Sequence, residues 1–387
     1  MKNALVIHPQ FEVIGGAEIV SLRIIGWLIE SAGLEVTLMT LLPLDTGTLV
    51  RAGVSADTAG KIKFVTAACP RFVAAARSKF HLLKLAYLHR SARRASGDFD
   101  VLVSTYNEVD FGKPGIQYIH HPSFPGRSVL QDLGMIDSGG LLDSVPLLNS
   151  IYRALASAIS GDKVEGFRRN TTLVNSHFMK QVIEQVYGIS GQVVYPAFIE
   201  ETNRRPPDWN GRDLRFVSVG RIARDKNFLT LIEYYSSLHR EFPAADFVIA
   251  GRRSDKEYET SIVEKAVKLG VPLRMLKDLP DSEMKALLMS SKFYVHPKIN
   301  EHFGMVITEA AAMGCLPLVH ASGASREIVG SPMLLFTSAA ELVERARVLL
   351  ENEAERKKAV GALEKELVKF KSSAFYARLE EVLGPNL

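Results

Sequence analysis

Short apolar runs recur along the chain at 4–7, 36–42, 101–103, 116–119 and 173–174, separated by longer stretches in which apolar residues return every three or four positions. The runs carry few polar interruptions, as strands covered on both faces do, and the longer stretches have the period of helices. That alternation predicts an α/β fold with a parallel sheet and helices on both faces. The plan repeats, with strands expected at 216–219, 247–250, 273–276, 293–295 and 316–319. Between the halves, Glu200-Glu201-Thr202-Asn203-Arg204-Arg205-Pro206-Pro207-Asp208-Trp209-Asn210-Gly211 is polar and rich in Pro and Gly, the composition of a linker. A chain of 387 residues, 47% of them hydrophobic, is too large for one ordinary core. The expected domains are 1–199, a linker 200–213, a second domain 214–370, and a terminal helix 371–387 carrying Phe375, Leu379 and Leu383 on its apolar face. A cleft between two such domains follows.

The polar residues that break this pattern fall on strand-to-helix loops. After the strand at 293–295 comes Asn300-Glu301-His302-Phe303-Gly304-Met305-Val306-Ile307-Thr308-Glu309, which sets two carboxylates eight positions apart around a glycine that opens a helix. Free amides at a helix start suit an anion. A carboxylate there does not, so Glu301 and Glu309 are expected to accept hydrogen bonds from the hydroxyls of a hexose and a ribose. An isolated pair of this kind would be read as mere solvation of a helix. The strand at 216–219 runs into Gly220-Arg221-Ile222-Ala223-Arg224-Asp225-Lys226-Asn227, a basic loop before another helix. In an open α/β sheet both loops lie at the carboxyl ends of strands, so they can meet. Arg221 and Lys226 would then neutralise a diphosphate, each charge-assisted contact contributing about 1.5–3 kcal/mol away from water. In the first half, Gly15-Gly16 follows the first strand and lets backbone amides approach phosphate or sugar oxygens, and the strand at 116–119 ends on His120-His121-Pro122.

In combination, G-R-x4-K followed by E-x-F-G-x4-E resembles the carboxyl-terminal half of retaining GT-B glycosyltransferases of family 4. Gly15-Gly16-Ala17-Glu18, Asn175-Ser176, Val193-Val194-Tyr195-Pro196 and Gly323-Ala324-Ser325-Arg326-Glu327-Ile328-Val329 fall in the order that family shows. The resemblance implies two Rossmann-like domains facing across a cleft, with the C-terminal helix crossing back onto the first. It implies that Arg221 and Lys226 hold the donor diphosphate, Glu309 the ribose and Glu301 the transferred sugar. Gly15, Gly16, Gly220, Gly251, Leu279, Phe303, Gly304, Met305 and Val306 complete the implied donor site. The Y-x-H-x-P stretch, Tyr118 to Pro122, is similar to that of the lipid-linked-oligosaccharide α-1,2-mannosyltransferases and puts His120 against the donor sugar. The implied reaction is transfer of a hexose, with retention, to a hydroxyl of a glycan or polyprenyl-linked acceptor, with catalysis by His120, Glu301, Arg221 and Lys226. GDP-mannose is the preferred donor and UDP-hexose the second choice. No cofactor and no metal are expected, because Arg and Lys take the place of the divalent ion that DxD enzymes use. Two features depart from the family pattern: His302 stands where a glycine is usual, and Gly323 is followed by alanine.

Composition narrows the remaining classes. Cys69 and Cys315 lie in different halves without metal-ligand spacing, and the amino terminus reads as a strand rather than a secretory signal, so a cytoplasmic setting with reduced thiols is expected. The longest apolar stretch, 141–159, is broken by Asp143, Pro146, Asn149 and Arg153 and does not predict a membrane span. The formal net charge is only +4, yet no Asp or Glu occurs between Thr58 and Gly97, where Lys61, Lys63, Arg71, Arg77, Lys79, Lys84, Arg90, Arg93 and Arg94 all fall. With Phe72, Val73, Ala76, Phe80, Leu83, Tyr87 and Leu88 at helical spacing, the block predicts an amphipathic helix. Arg77, Lys79, Lys84, Arg90, Arg93 and Arg94 would rest it on an anionic membrane surface or meet an anionic acceptor, at about 1 kcal/mol per cation near a bilayer. The other reading is an ordinary helix packed on the sheet. Nucleic acid is not expected as a partner, since no known module accompanies the block. Asp98-Phe99-Asp100 spells DxD but precedes a strand and reads as a turn. Two rival functions keep the site: a GT-B epimerase or phosphorylase, and a non-catalytic sugar-nucleotide sensor or membrane scaffold.

Overall fold

The computed structural model of the chain describes residues 2–76, 80–125, 127–133, 146–198, 207–252 and 255–387. These form two compact units: one runs to Pro196 and takes back Tyr376–Leu387, and the other holds Ala197–Phe375. The first contains β1 (Asn3–Ile7), β2 (Glu35–Thr40), β3 (Lys63–Thr66), β4 (Val101–Ser104), β5 (Ile116–Ile119), β6 (Thr171–Val174) and β7 (Gln192–Val193). They form a seven-stranded sheet in the order β3-β2-β1-β4-β5-β6-β7, parallel throughout. The second contains β8 (Asp213–Val219), β9 (Asp246–Gly251), β10 (Leu273–Lys277), β11 (Ser291–His296), β12 (Leu316–His320) and β13 (Leu335–Phe336). Its six-stranded sheet, also parallel, has the order β10-β9-β8-β11-β12-β13.

Both sheets are doubly wound. The strand order reverses between β1 and β4 in the first and between β8 and β11 in the second, and at such a switch point the loops leaving the two strands diverge and open a crevice. Burial explains the sequence pattern: Ala4, Leu5 and Val6 of β1 and Phe247, Val248, Ile249 and Ala250 of β9 are fully inaccessible. Register in the second sheet is pinned by aromatics. Phe247, Phe216 and Phe293 lie opposite one another on β9, β8 and β11, with ring centroids 5.6 and 5.1 Å apart and planes within 9°. Trp209, at the edge of the stretch read as a linker, packs on Phe293 of the second unit at 5.4 Å and lies under Arg356 at 4.9 Å. Residues 200–206 of that stretch lie outside the described residues. The terminal helix Ser372–Leu383 passes into the first unit, where Arg378 Nε donates to the Val193 carbonyl at 3.2 Å.

The basic block departs from expectation. Instead of one amphipathic helix it holds β3, a short helix Arg71–Ala74 and the helix His81–Ala95. Phe80 has φ of 58°, so the chain turns there rather than continuing a helix. Lys84 is buried, and desolvation lowers its ammonium pKa. Arg93 is spent on Asp110 and Asp162, at 3.0 and 3.3 Å. Arg90 and Arg94 are exposed, whereas Arg77 and Lys79 lie outside the described residues. An exposed apolar stripe appears instead on the helix Pro146–Ser160, where Ile151 and Leu155 face outward while Ala156 packs against Leu82 and Ala86. Among the described residues no helix is long and apolar enough to cross a membrane.

Candidate active site

In the second unit the loops leaving β8 and β11 flank the switch point and bring Lys226 and Glu301 together. Lys226 Nζ lies 3.7 Å from Glu301 Oε2, and Lys298 Nζ 3.7 Å from Oε1. His296 Nε2 is 3.1 Å from Oε2, and the His302 amide donates to Oε1 at 3.0 Å. Burial alone would push the Glu301 carboxyl up, but Lys226, Lys298 and His296 outweigh it and hold the group well below the usual carboxylate range. Glu301 is therefore an ionised acceptor set among cations. Glu309, partly buried inside the helix Met305–Ala312, behaves in the opposite way: desolvation, reinforced by Asp281, raises its carboxyl to about 7.

Arg221 is exposed, and its Nη2 lies 3.3 Å from Asp225 Oδ2, an oxygen 3.8 Å from Lys226 Nζ. Arg221, Lys226 and Glu301 thus form one charged chain, from which Glu309 stands apart. Two glycines are required by close approach. A Cβ on Gly251 would run into the Gly220 carbonyl oxygen, and the Asp278 amide donates to the Gly251 carbonyl at 3.0 Å, so the loops after β8, β9 and β10 abut and Leu279 follows on the third. A Cβ on Gly323 would meet the Asn300 and Glu301 backbone at 2.7 Å, and the Ala324 amide donates to the Glu301 carbonyl at 2.9 Å. Gly304 caps the Met305 helix with φ of 96°, a conformation that leaves the Met305 and Val306 amides at the open helix end. The Phe303 ring points into the core between Phe198 and Phe370, at 5.8 and 5.5 Å, so only its backbone is left to face a ligand.

In the first unit His120 ends β5. Its Nε2 lies 3.2 Å from the Thr105 carbonyl, which can only accept, so the ring carries its proton on Nε2. Burial, with His8 and His121 nearby, pulls its pKa down to about 3, and the ring is neutral. Asn175 Nδ2 donates to the His120 carbonyl at 3.2 Å. Thr105 continues inward: its hydroxyl meets His8 Nδ1 at 3.0 Å and Ser21 Oγ at 2.7 Å, and His8 Nε2 lies 3.5 Å from Glu18 Oε1. Glu18 Oε2 also accepts the Gly15 amide at 2.9 Å, which commits that amide inside the chain rather than to a ligand, and the helix starts at Gly16. The Asp100 carboxylate accepts the Asn3 backbone amide and the Asp98 carbonyl accepts Asn3 Nδ2, at 2.9 Å each, at the amino edge of the sheet, so the DxD stretch is a structural turn. A pocket of about 410 Å³ opens between the loops after β1 and β2, walled by Phe11 and Leu42 with Gln10, Glu12, Thr40 and Arg51 at its polar positions.

Sequence reasoning passed over His296 and Lys298, although a polar residue ending a buried strand and a lysine three positions before Glu301 were visible. It also passed over Asn107, Glu108 and His8, which gain meaning only from contacts far along the chain.

Residues 199–365 match the family Glycosyl transferases group 1. The phosphatidylinositol N-acetylglucosaminyltransferase gpi3 subunit of Schizosaccharomyces pombe is 26% identical over 145 residues, covering 37% of this chain and 32% of that one. The GDP-Man:Man(3)GlcNAc(2)-PP-Dol alpha-1,2-mannosyltransferase of Xenopus laevis is 30% identical over 228 residues, covering 53% of this chain and 46% of that one. The chain thus spans a third to a half of the length of these relatives. Among solved structures, Anabaena Alr3699/HepE in complex with UDP and glucose superposes with a TM-score of 0.66 at 14% identity, over the full length of both chains. Sequence and architecture agree: residues 199–365 are a glycosyl transferases group 1 domain, carried on a chain with the GT-B fold.

Proposed function

We propose that the protein is a retaining, metal-independent hexosyltransferase that moves a hexose, mannose for preference, from a nucleotide-diphosphate sugar to a hydroxyl of a glycan or lipid-linked glycan. The observation that carries this reading is the buried Glu301 carboxylate held between Lys226, Lys298 and His296 at the switch point of the second sheet. Lys226 and Arg221, with the amides opening the Met305 helix, would stabilise the diphosphate as it leaves, the contribution that dominates such reactions. Glu301 would accept the hydroxyls of the transferred sugar and Glu309 those of the ribose. On the first unit, neutral His120 would orient that sugar, and the pocket at Gln10, Glu12 and Arg51 suits a hydroxyl-rich acceptor. GDP-mannose is preferred over UDP-hexose as donor because one relative is a GDP-Man mannosyltransferase. The acceptor proton would pass to a phosphate oxygen of the departing nucleotide, so no protein base is invoked. We further propose a cytoplasmic setting with peripheral attachment to an anionic membrane through Arg90, Arg94 and the stripe at Ile151 and Leu155.

Calorimetric titration with GDP-mannose and a panel of UDP-hexoses, then transfer assays with polyprenyl-diphosphate glycans, tests the reading. Donor binding followed by acceptor-dependent release of nucleotide diphosphate is expected, with the anomeric configuration of the product matching that of the donor. Epimerised sugar from donor alone would favour the epimerase. Binding without turnover, unchanged in K226A, would favour a sensor.

A further inference from the structure

Asn107 follows β4 at the switch point of the first sheet, fully buried, with φ of 64°. Every hydrogen-bonding position of its side chain is used. Oδ1 accepts the amides of His120 and His121 at 2.9 and 3.2 Å, and Nδ2 lies 3.0 Å from His121 Nδ1 and 2.7 Å from Ser123 Oγ. Two amide donors at one atom fix which end of the side chain is oxygen. Its backbone is tied as well, the amide to the Tyr118 carbonyl at 3.0 Å and the carbonyl to Ser104 Oγ at 2.9 Å. Glu108, also fully buried, takes the next pair: its Oε1 accepts the amides of Ser123 and Phe124 at 2.7 and 2.8 Å and the Tyr187 hydroxyl. Two consecutive side chains thus hold four amides of the segment that carries His120.

The arrangement selects residue types. Only a short side chain with an acceptor and a donor on one carbon fits both the two amides and His121 Nδ1, and Asn tolerates a positive φ better than any such alternative. Because Nδ2 can only donate, His121 Nδ1 is the unprotonated nitrogen and its proton sits on Nε2.

We propose that Asn107, seconded by Glu108, is the positioning residue that fixes the backbone of His120 and the tautomer of His121 for sugar transfer. This rests on the reading of His120 as the residue against the donor sugar. Asn107 acts through its neighbours and touches no reactant, so its loss should appear in turnover rather than in donor affinity.

N107D keeps size and both amide bonds but replaces the donor to His121 and Ser123 with an acceptor. In the intact protein we expect kcat to fall roughly tenfold to a hundredfold, the cost of a small misplacement. Nucleotide Kd and donor KM should stay within about twofold, and imidazole 15N shifts should show His121 leaving the Nε2–H form. Equal kcat in N107D and wild type overturns the proposal, and so does a fall that tracks donor KM. Should N107D not fold, the wild-type 15N spectrum still decides, since a His121 protonated on Nδ1 is incompatible with the clamp. A wild-type protein that transfers no sugar from any donor instead sinks the functional reading, which separates the two failures.

Discussion

The Glu301 and Glu309 carboxyls are shifted in opposite directions because cations surround the first, while burial and Asp281 act on the second. The consequence is a pH dependence that belongs to Glu309. Its carboxyl, raised to about 7, is protonated in acid and ionised in base. In the proposed role a carboxylate would accept ribose hydroxyls and a neutral acid would accept them less well, so donor affinity should rise between pH 6 and 8. A roughly threefold to tenfold gain by calorimetry, flattened in E309Q, is the expected outcome, the latter figure corresponding to about 1.4 kcal/mol. The linked effect on stability has the opposite sign. An acid whose folded pKa is raised stabilises the fold least when ionised, so the unliganded protein should lose a little stability as pH climbs from 4.5 toward 7. Lys226 is the side chain whose loss should cost most: Lys226→Ala removes the proposed diphosphate partner and a cation that keeps Glu301 ionised. A fall in kcat/KM of about 100-fold or more is expected, with a lower unfolding midpoint but a fully folded protein at the assay temperature showing that chemistry rather than folding was lost.

At the scale of elements, the buried strands were legible because two-sided burial writes an apolar run into the sequence. β1, β2, β4, β5 and β6 of the first sheet and β8 to β12 of the second fall where those runs predicted, within a few residues. β3, β7 and β13 were missed. β3 is an edge strand with mostly exposed side chains, and β7 and β13 are two residues long, so none leaves a pattern to read. The basic block was misjudged for a related reason: its apolar spacing ran from the short helix Arg71–Ala74 across a left-handed Phe80 into the helix His81–Ala95, and periodicity cannot see a chain reversal. The contacts between loops yield a prediction at this scale. Gly251→Ala would drive a methyl group into the Gly220 carbonyl and pry β9 from β8, so a destabilisation of about 2–4 kcal/mol, read as a lower midpoint in urea, is expected. Gly60→Ala, with open space around it, is the control. The helix Pro146–Ser160 gives another. Replacing Ile151 and Leu155 together by Ser should halve or better the fraction co-sedimenting with phosphatidylserine vesicles while leaving transfer to a water-soluble acceptor intact. Equal co-sedimentation would remove this face from the membrane.

For the whole molecule, the proposed mechanism has cations doing the work of a divalent ion. EDTA should therefore leave the transfer rate within about twofold, and a loss restored by Mg²⁺ or Mn²⁺ would require another mechanism. What the sequence determined by itself was whatever repeats or stays local: two series of buried strands, the loops that follow them, the glycines that let those loops turn, and the Lys226 and Glu301 motifs. Tertiary structure decided the rest. It set Lys298 and His296 on Glu301, withdrew Lys84 and Arg93 from the surface, turned the Phe303 ring into the core, and made Asn107 and Glu108 a clamp for residues a dozen and more positions away. The physical reason is the same in each case. Burial pattern and turn chemistry act over a few residues and leave a local trace, whereas charge pairing and amide satisfaction depend on which segments the sheet order brings side by side.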